Sequence, residues 1–348
     1  MRTEVYKISD PQTPETDVIE RAAEIIKNGG LVVFPTETVY GLGADATNEV
    51  AVSSIFTAKG RPSDNPLIIH ISTPKEAEDY AYTSELYYKL AEAFMPGPLT
   101  VVLKSKDSVP KRTRGGLDTV AVRCPESTIA RALIKASGTP IAAPSANLSG
   151  SPSPTNASHV INDMTGRVDM IIDGGSADFG LESTIVKIED GNTLTLLRPG
   201  KITPEQLSLI ADVNIADAVT DKLKEGEVAL SPGMKYRHYA PKAPLLLVDG
   251  GADKLVEYIK SLPSGRRAVI AYDEDVALFK KELKDISVYP FGARLDTYSQ
   301  AYNLFSILRD ADFENFDEIY APLPDTSGVA LALYNRMIRA AAHKIIRL

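Results

Sequence analysis

The chain has 348 residues, 44% of them hydrophobic and 24% charged, with a net charge of −8, a pI near 5.2 and a single cysteine. That length suits two domains with ordinary cores, and the acidic balance argues against broad binding to nucleic acid or to an anionic membrane while allowing a local basic pocket. Cys124 alone can form neither an intrachain disulfide nor a thiolate metal cluster, and His70, His159, His238 and His343 are too scattered for a histidine metal site.

The N-terminus carries Asp10, Glu15 and Asp17 where a secretory signal would be apolar, and no apolar run reaches membrane-spanning length, so the expected location is the cytoplasm. Residues 17–28 read as a helix with Val18, Ala22, Ile25 and Ile26 on one face and Gly29-Gly30 as its stop. Residues 31–34 are a short buried strand. They run into Pro35-Thr36-Glu37-Thr38-Val39-Tyr40-Gly41-Leu42-Gly43, which is either a ligand-bearing loop or a plain turn. Asn48 is an N-cap for a helix carrying Val52, Ile55 and Phe56, which delivers Lys59-Gly60-Arg61-Pro62-Ser63-Asp64-Asn65-Pro66. Pro62 and Pro66 stiffen this connection, so its two cations are held for an oxyanion ligand or else decorate the surface.

Residues 67–71 form the next strand, and His70 on it is either a packed side chain or a ligand group. A helix over 83–94 precedes strands at 99–104 and 119–123. The second of these ends in Arg123, placed either to hold a carboxylate or to sit exposed at the rim. Cys124 beside it has no activating neighbour in sequence and reads as structural. Pro144-Ser145-Ala146-Asn147-Leu148-Ser149-Gly150 offers small residues for close backbone approach and hydrogen-bonding side chains two residues apart. It continues through a Ser/Pro loop into a helix over 157–164. A strand over 170–173 and a hairpin spanning 181–197 follow, the latter closing at Arg198-Pro199-Gly200, and a helix over 204–210 ends the first domain. Residues 212–244 change character, and Ser231 to Pro241 reads as a tether or as a lid. From Leu245 onward strands and helices alternate as in a parallel, Rossmann-like sheet, but Asp249-Gly250-Gly251-Ala252 lacks the G-x-G-x-x-G fingerprint, so no dinucleotide is assigned.

Taken together, Lys59-Gly-Arg61-Pro-x-x-Asn65-Pro, Pro35-Thr36-Glu37-Thr38-x-Tyr40-Gly41-Leu42, Pro144-Ser145-Ala-Asn147-x-Ser149-Gly150 and Leu197-Arg198-Pro-Gly200 resemble the threonylcarbamoyl-AMP synthase family. The Ser-Pro-Gly…His-Tyr-Ala-Pro signature within 231–241 matches the longer, two-domain form. The resemblance implies an α/β fold: a YrdC-like α/β twist with a mixed sheet and an open cationic cavity over 1–211, a linker or lid over 212–244, and a smaller Rossmann-like domain over 245–348. It implies a nucleotidyltransferase that joins L-threonine, bicarbonate (or CO2) and ATP into threonylcarbamoyl-AMP for tRNA modification. Mg²⁺ would accompany ATP, with no organic cofactor and no protein metal site.

By the same resemblance Lys59 and Arg61 are the catalytic cations. They bind ATP with Ser63, Asn65, Ser145, Asn147, Arg198 and Tyr236, while Thr36, His70, Arg123 and Ser183 bind threonine. Downstream threonylcarbamoyl-transfer proteins are implied partners, with neither stable tRNA binding nor a membrane expected. The competing classes are an RNA-binding module without chemistry, which the acidic charge and the absence of Trp disfavour, and a related carbamoyl or acyl adenylate former.

Overall fold

The computed structural model describes residues 2–221 and 238–348, which form two units: 2–149 with 153–221, and 150–152 with 238–348. The described part of the first unit holds strands β1 (Glu4–Lys7), β2 (Val32–Phe34), β3 (Gly41–Asp45), β4 (Ile68–His70), β5 (Leu99–Lys104), β6 (Thr119–Arg123), β7 (Ile141–Ala142), β8 (Met170–Asp173), β9 (Thr184–Ile188), β10 (Thr193–Arg198) and β11 (Asp212–Ile215). Its helices are α1 (Thr16–Lys27), α2 (Glu49–Lys59), α3 (Ala77–Tyr80), α4 (Glu85–Phe94), α5 (Thr128–Ser137), α6 (Ala157–Met164) and α7 (Pro204–Leu207). The strands make one mixed sheet in the order β1-β8-β2-β3-β7-β4-β6-β5-β9-β10-β11.

Two features of the first unit set up the site. Helix α1 turns Val18, Ala22 and Ile26 inward at helical spacing, and they pack with Ile129 and Leu133 of α5 against Val32, Phe34, Met170 and Ile172 of the sheet. This fixes β2 and the loop that leaves it. Helix α2 begins where the Asn48 side chain accepts from the amides of Val50 and Ala51 at 3.0 and 3.2 Å, as its sequence predicts. It ends at Gly60, whose φ of 62° lets the chain leave the helix sharply after Lys59.

The second unit contains β12 (Leu245–Asp249), β13 (Arg267–Ala271), β14 (Ser287–Pro290), β15 (Glu318–Pro322) and β16 (Ile345–Arg347), with α8 (Ala252–Ser261), α9 (Val276–Glu282), α10 (Thr297–Ala311) and α11 (Ala330–Ala340) between them. Every strand pair is parallel, in the order β14-β13-β15-β12-β16, which is the Rossmann-like alternation expected. Leu255, Val256 and Ile259 pack on Val269 and Tyr320 in its core.

The structure departs from the sequence reading at several places. The strand β3 occupies residues read as loop. Helix α5 and the edge strands β1 and β16 were not anticipated. The helix expected over 204–210 stops at Leu207, and β11 then pairs parallel with β10, so residues 212–215 extend the first sheet rather than begin a linker. Residues 150–152 of the Ser/Pro loop group with the second unit, where Ala240 N donates to Gly150 O at 3.0 Å and Arg309 Nη2 to Pro152 O at 2.6 Å. Among the described residues no helix is long and apolar enough to cross a membrane.

Candidate active site

The register of the first sheet sets several of the anticipated side chains in one transverse row. Ile141 of β7 opposes His70 of β4, His70 opposes Arg123 of β6, Arg123 opposes Thr100 of β5, Thr100 opposes Ile185 of β9, and Ile185 opposes Arg198 of β10. Directly opposed residues share a face of a sheet, so residues scattered over 128 positions of sequence converge through strand pairing alone.

His70 is packed and buried, 3% exposed. Its Nδ1 lies 3.3 Å from Ile141 O, and because a carbonyl can only accept, Nδ1 carries the proton and Nε2 is left as an acceptor. Burial, reinforced by the Arg123 guanidinium, lowers the imidazole from 6.5 to about 3, so it is neutral at physiological pH. The edge of the Phe34 ring meets it at 6.3 Å between centroids. The ring reaches there over Gly43, where a β-carbon would come within 2.7 Å of both the ring and Ile141, which explains glycine inside a strand.

The loop between β2 and β3 is tied down by its own hydroxyl. Thr36 Oγ1 donates to Val39 O at 2.6 Å and accepts from the amides of Thr38 and Val39, both at 3.2 Å. This presents Glu37, which sequence reasoning did not single out. Arg123 Nη2 donates to Glu37 Oε1 at 2.5 Å, and the two side chains are 5% and 4% exposed. Arg123 Nε also donates to Gly97 O at 3.4 Å. Three of the five guanidinium hydrogens remain for a ligand, while Glu37 Oε2 is buried and finds no partner among the described residues. Cys124 is buried next door, with its thiol pushed up to about 12 by desolvation, in keeping with a structural role.

Further along the row, Ser183 Oγ lies 2.8 Å from Thr100 Oγ1 and accepts from Arg198 Nη2 at 3.1 Å, while Arg198 Nε donates to Ser183 O at 3.0 Å. Arg198, 7% exposed, and Ser183, fully buried, thus form one group. Thr100 joins it without having been anticipated, since nothing but the register points to it.

The remaining residues cluster around Lys59. Its ammonium, on a side chain 3% exposed, donates to Ser145 O, to Asn147 O at 2.6 Å and to Asn147 Oδ1 at 3.4 Å. Ser145 Oγ donates to Asn147 Oδ1 at 2.6 Å, and Ser149 N to Lys59 O at 2.9 Å. Three of the expected nucleotide residues are therefore bound to one another. The cluster is joined to the Thr36–Glu37 loop by Ala146 N, which donates to Tyr40 O at 2.8 Å. On the connection after α2, Arg61 Nη2 reaches Pro66 O at 3.4 Å and Ser63 is half-buried. Asn65 is 1% exposed, and neither its amide nitrogen nor its amide oxygen has a partner among the described residues. Tyr236 lies outside the described residues.

A buried amide or carboxylate oxygen left without a partner costs roughly 1–3 kcal/mol, which a protein tolerates where a ligand completes the pairing. Cations held among carbonyls and hydroxyls suit an oxyanion, and a buried Arg–Glu pair suits a small molecule carrying both signs of charge.

A family model described as "Telomere recombination", covering Sua5, YciO and YrdC, matches residues 24–200, and that of the threonylcarbamoyl-AMP synthase C-terminal domain matches residues 202–342. A threonylcarbamoyl-AMP synthase of Bacillus subtilis is 42% identical over 99% of this chain and 97% of its own length. Another, from Pyrococcus abyssi, is 44% identical over 94% of this chain and 95% of its own. The crystal structure of P. abyssi Sua5 complexed with L-threonine superposes with a TM-score of 0.89 at 42% identity, covering 99% of this chain and all of the other. Likeness of this extent, along both units and at this identity, makes the chain a member of the threonylcarbamoyl-AMP synthase family.

Proposed function

We propose that the protein is a threonylcarbamoyl-AMP synthase, which converts L-threonine, bicarbonate and ATP into threonylcarbamoyl-AMP, pyrophosphate and water. Once its ammonium has given up a proton to solvent, the threonine amine forms a bond to the bicarbonate carbon with loss of water, giving a carbamate. A carbamate oxygen then attacks the α-phosphorus of ATP, and the bond to the leaving pyrophosphate breaks. No enzyme nucleophile is required, so the work of the protein is positioning and charge neutralisation.

The observation that carries this reading is the buried, incompletely paired polar set of the first unit, above all the Asn65 amide and the Arg123–Glu37 pair. Arg123, with three donors to spare, holds the threonine carboxylate; the neutral His70, Thr36 and Ser183 complete the amino-acid pocket. Arg61, Ser63, Asn65, Ser145, Asn147 and Arg198 hold ATP and its phosphates. With its three N–H donors engaged by Ser145 and Asn147, Lys59 acts through its charge and by fixing that loop rather than as a direct phosphate donor. Arg61 and Lys59 supply the positive charge that the α-phosphate requires as pyrophosphate leaves. Tyr236 contributes from the segment between the units. Mg²⁺ would accompany ATP as part of the Mg–ATP substrate and help to neutralise its phosphate charge.

The product is an activated acyl donor that separate transfer proteins pass to the adenosine beside the anticodon of certain tRNAs. The enzyme itself, acidic overall, needs no stable hold on tRNA and works in the cytoplasm. Pyrophosphate release tests the reading. It is expected only when ATP, threonine and bicarbonate are all present, and release without threonine, or none with all three, contradicts it.

A further inference from the structure

We infer that Glu37 is a substrate-reading residue: its second carboxylate oxygen receives the ammonium group of the amino acid whose carboxylate Arg123 holds. The inference rests on the threonine reading above and assigns a role to a side chain that the reading does not use. Oε1 of Glu37 accepts from Arg123 Nη2 at 2.5 Å, whereas Oε2 is enclosed without a partner among the described residues. A lone buried carboxylate oxygen is destabilising, so a donor brought by the ligand to Oε2 would be stabilising. The loop is also built to hold this acid still. The Thr36 hydroxyl closes the turn on one side, and Phe179 N donates to Glu37 O at 3.0 Å on the other.

Charge decides which ligand group meets Oε2. Arg123 and Glu37 together are neutral, and a zwitterionic amino acid is neutral too. Placing carboxylate on guanidinium and ammonium on carboxylate satisfies every charge without leaving a net one in the buried pocket. His70 cannot serve in place of Glu37, since its protonated Nδ1 is turned to Ile141 O and no formal charge remains on the neutral ring. A substrate hydroxyl on Oε2 would leave the ammonium unmatched. The pair therefore selects an α-amino acid over the corresponding α-hydroxy acid.

The test uses isothermal titration of the full-length protein with three ligands: L-threonine, 2-aminobutanoate (hydroxyl removed) and 2,3-dihydroxybutanoate (ammonium replaced by hydroxyl). Glu37→Gln, which can keep an oxygen on Arg123, should weaken threonine and 2-aminobutanoate alike by about 10- to 100-fold, the range of a hydrogen bond to a charged group. It should leave 2,3-dihydroxybutanoate within about 2-fold of wild type. Glu37→Asp, which keeps the charge, should recover part of the threonine affinity and guards against a folding defect in the first variant.

Equal weakening of all three ligands by Glu37→Gln would reduce Glu37 to a support for Arg123. Weakening of threonine but not of 2-aminobutanoate would assign Oε2 to the hydroxyl, and an unchanged threonine affinity would remove Glu37 from the pocket. Each of these overturns the inference while leaving threonine as the substrate. If wild-type protein binds no threonine and releases no threonine-dependent pyrophosphate, the substrate reading itself fails, and the inference with it.

Discussion

Both units are α/β sheets, yet cations at element ends of the first unit and arginines on loops of the second are held differently. In the first unit Lys59, Arg123 and Arg198 are between 3% and 7% exposed and are held by carbonyls, a hydroxyl and the half-paired Glu37. In the second unit Arg294, just after β14, stacks over Tyr272 at 4.4 Å and meets Asp275 at 2.6 Å with half its side chain in water, while Arg266, with its side chain 63% exposed, pairs with Glu314 at 3.1 Å. The second unit does bury Arg309 and Arg336, on α10 and α11, where Arg309 Nη2 donates to Pro152 O at 2.6 Å and Arg336 Nη1 to Asn335 Oδ1 at 2.9 Å. Exposed pairs add little stability and bring little constraint. Buried ones are costly unless something completes them, and in the proposed reaction the ligands complete those of the first unit.

The contrast is sharpest on removing one partner from each kind of pair. Arg123→Ala strips the buried Glu37 carboxyl of its partner, and should lower stability by about 3–5 kcal/mol in denaturant unfolding as well as raise the KM for threonine far more than that for ATP. Arg294→Ala should cost no more than about 1 kcal/mol and leave turnover unchanged. Equal losses for the two variants would erase the distinction.

A smaller effect comes from acid. The buried neutral His70 titrates near 3 in the fold and near 6.5 once exposed, so on acidification the unfolded chain takes up a proton that the folded chain refuses. This contribution leaves stability untouched above about pH 6.5 and lowers it progressively as pH falls toward 3. Melting temperatures of wild type and His70→Gln should diverge in slope over that window, with the variant flatter; parallel curves would mean that His70 is not held neutral. Smallest of all, Cys124 in the folded protein at pH 8 should react with a thiol reagent more slowly than a free cysteine, because burial keeps it protonated. Stoichiometric labelling at the rate of free cysteine would contradict its enclosure.

Much of the fold was legible because its signals are local. The Asn48 cap, strands Leu99–Lys104 and Thr119–Arg123 and helix Ala157–Met164 stand where periodicity and capping chemistry put them. The β1 strand was not legible, since its only pairing among the described residues is with β8, some 166 residues away, and its residues are largely exposed. Nor was β3, whose Gly41 and Gly43 read as turn residues until the Phe34 ring above them accounts for the missing side chains.

The site shows the same division. Lys59, Arg61, Asn65, Ser145 and Asn147 fall in short motifs, and the structure joins Lys59 to Ser145 and Asn147. Glu37 lies in the Pro35–Leu42 motif but was not singled out, because its burial depends on Arg123, 86 residues further on. Thr100 had no signal beyond a strand register that cannot be read before the sheet is known.

If the first unit leaves Glu37 Oε2 and the Asn65 amide unpaired for the sake of its ligands, Asn65 shows it most directly. Its amide is enclosed with neither atom bonded among the described residues, so Asn65→Leu should leave the melting temperature of the ligand-free protein unchanged or raise it, because an apolar group can replace an unsatisfied polar one at little or no cost. The same variant should lose about 10-fold or more of threonine-dependent pyrophosphate release at low ATP. A ligand-free protein that melts several degrees lower while turning over normally would show that Asn65 serves the fold and not the nucleotide, and would contradict the account.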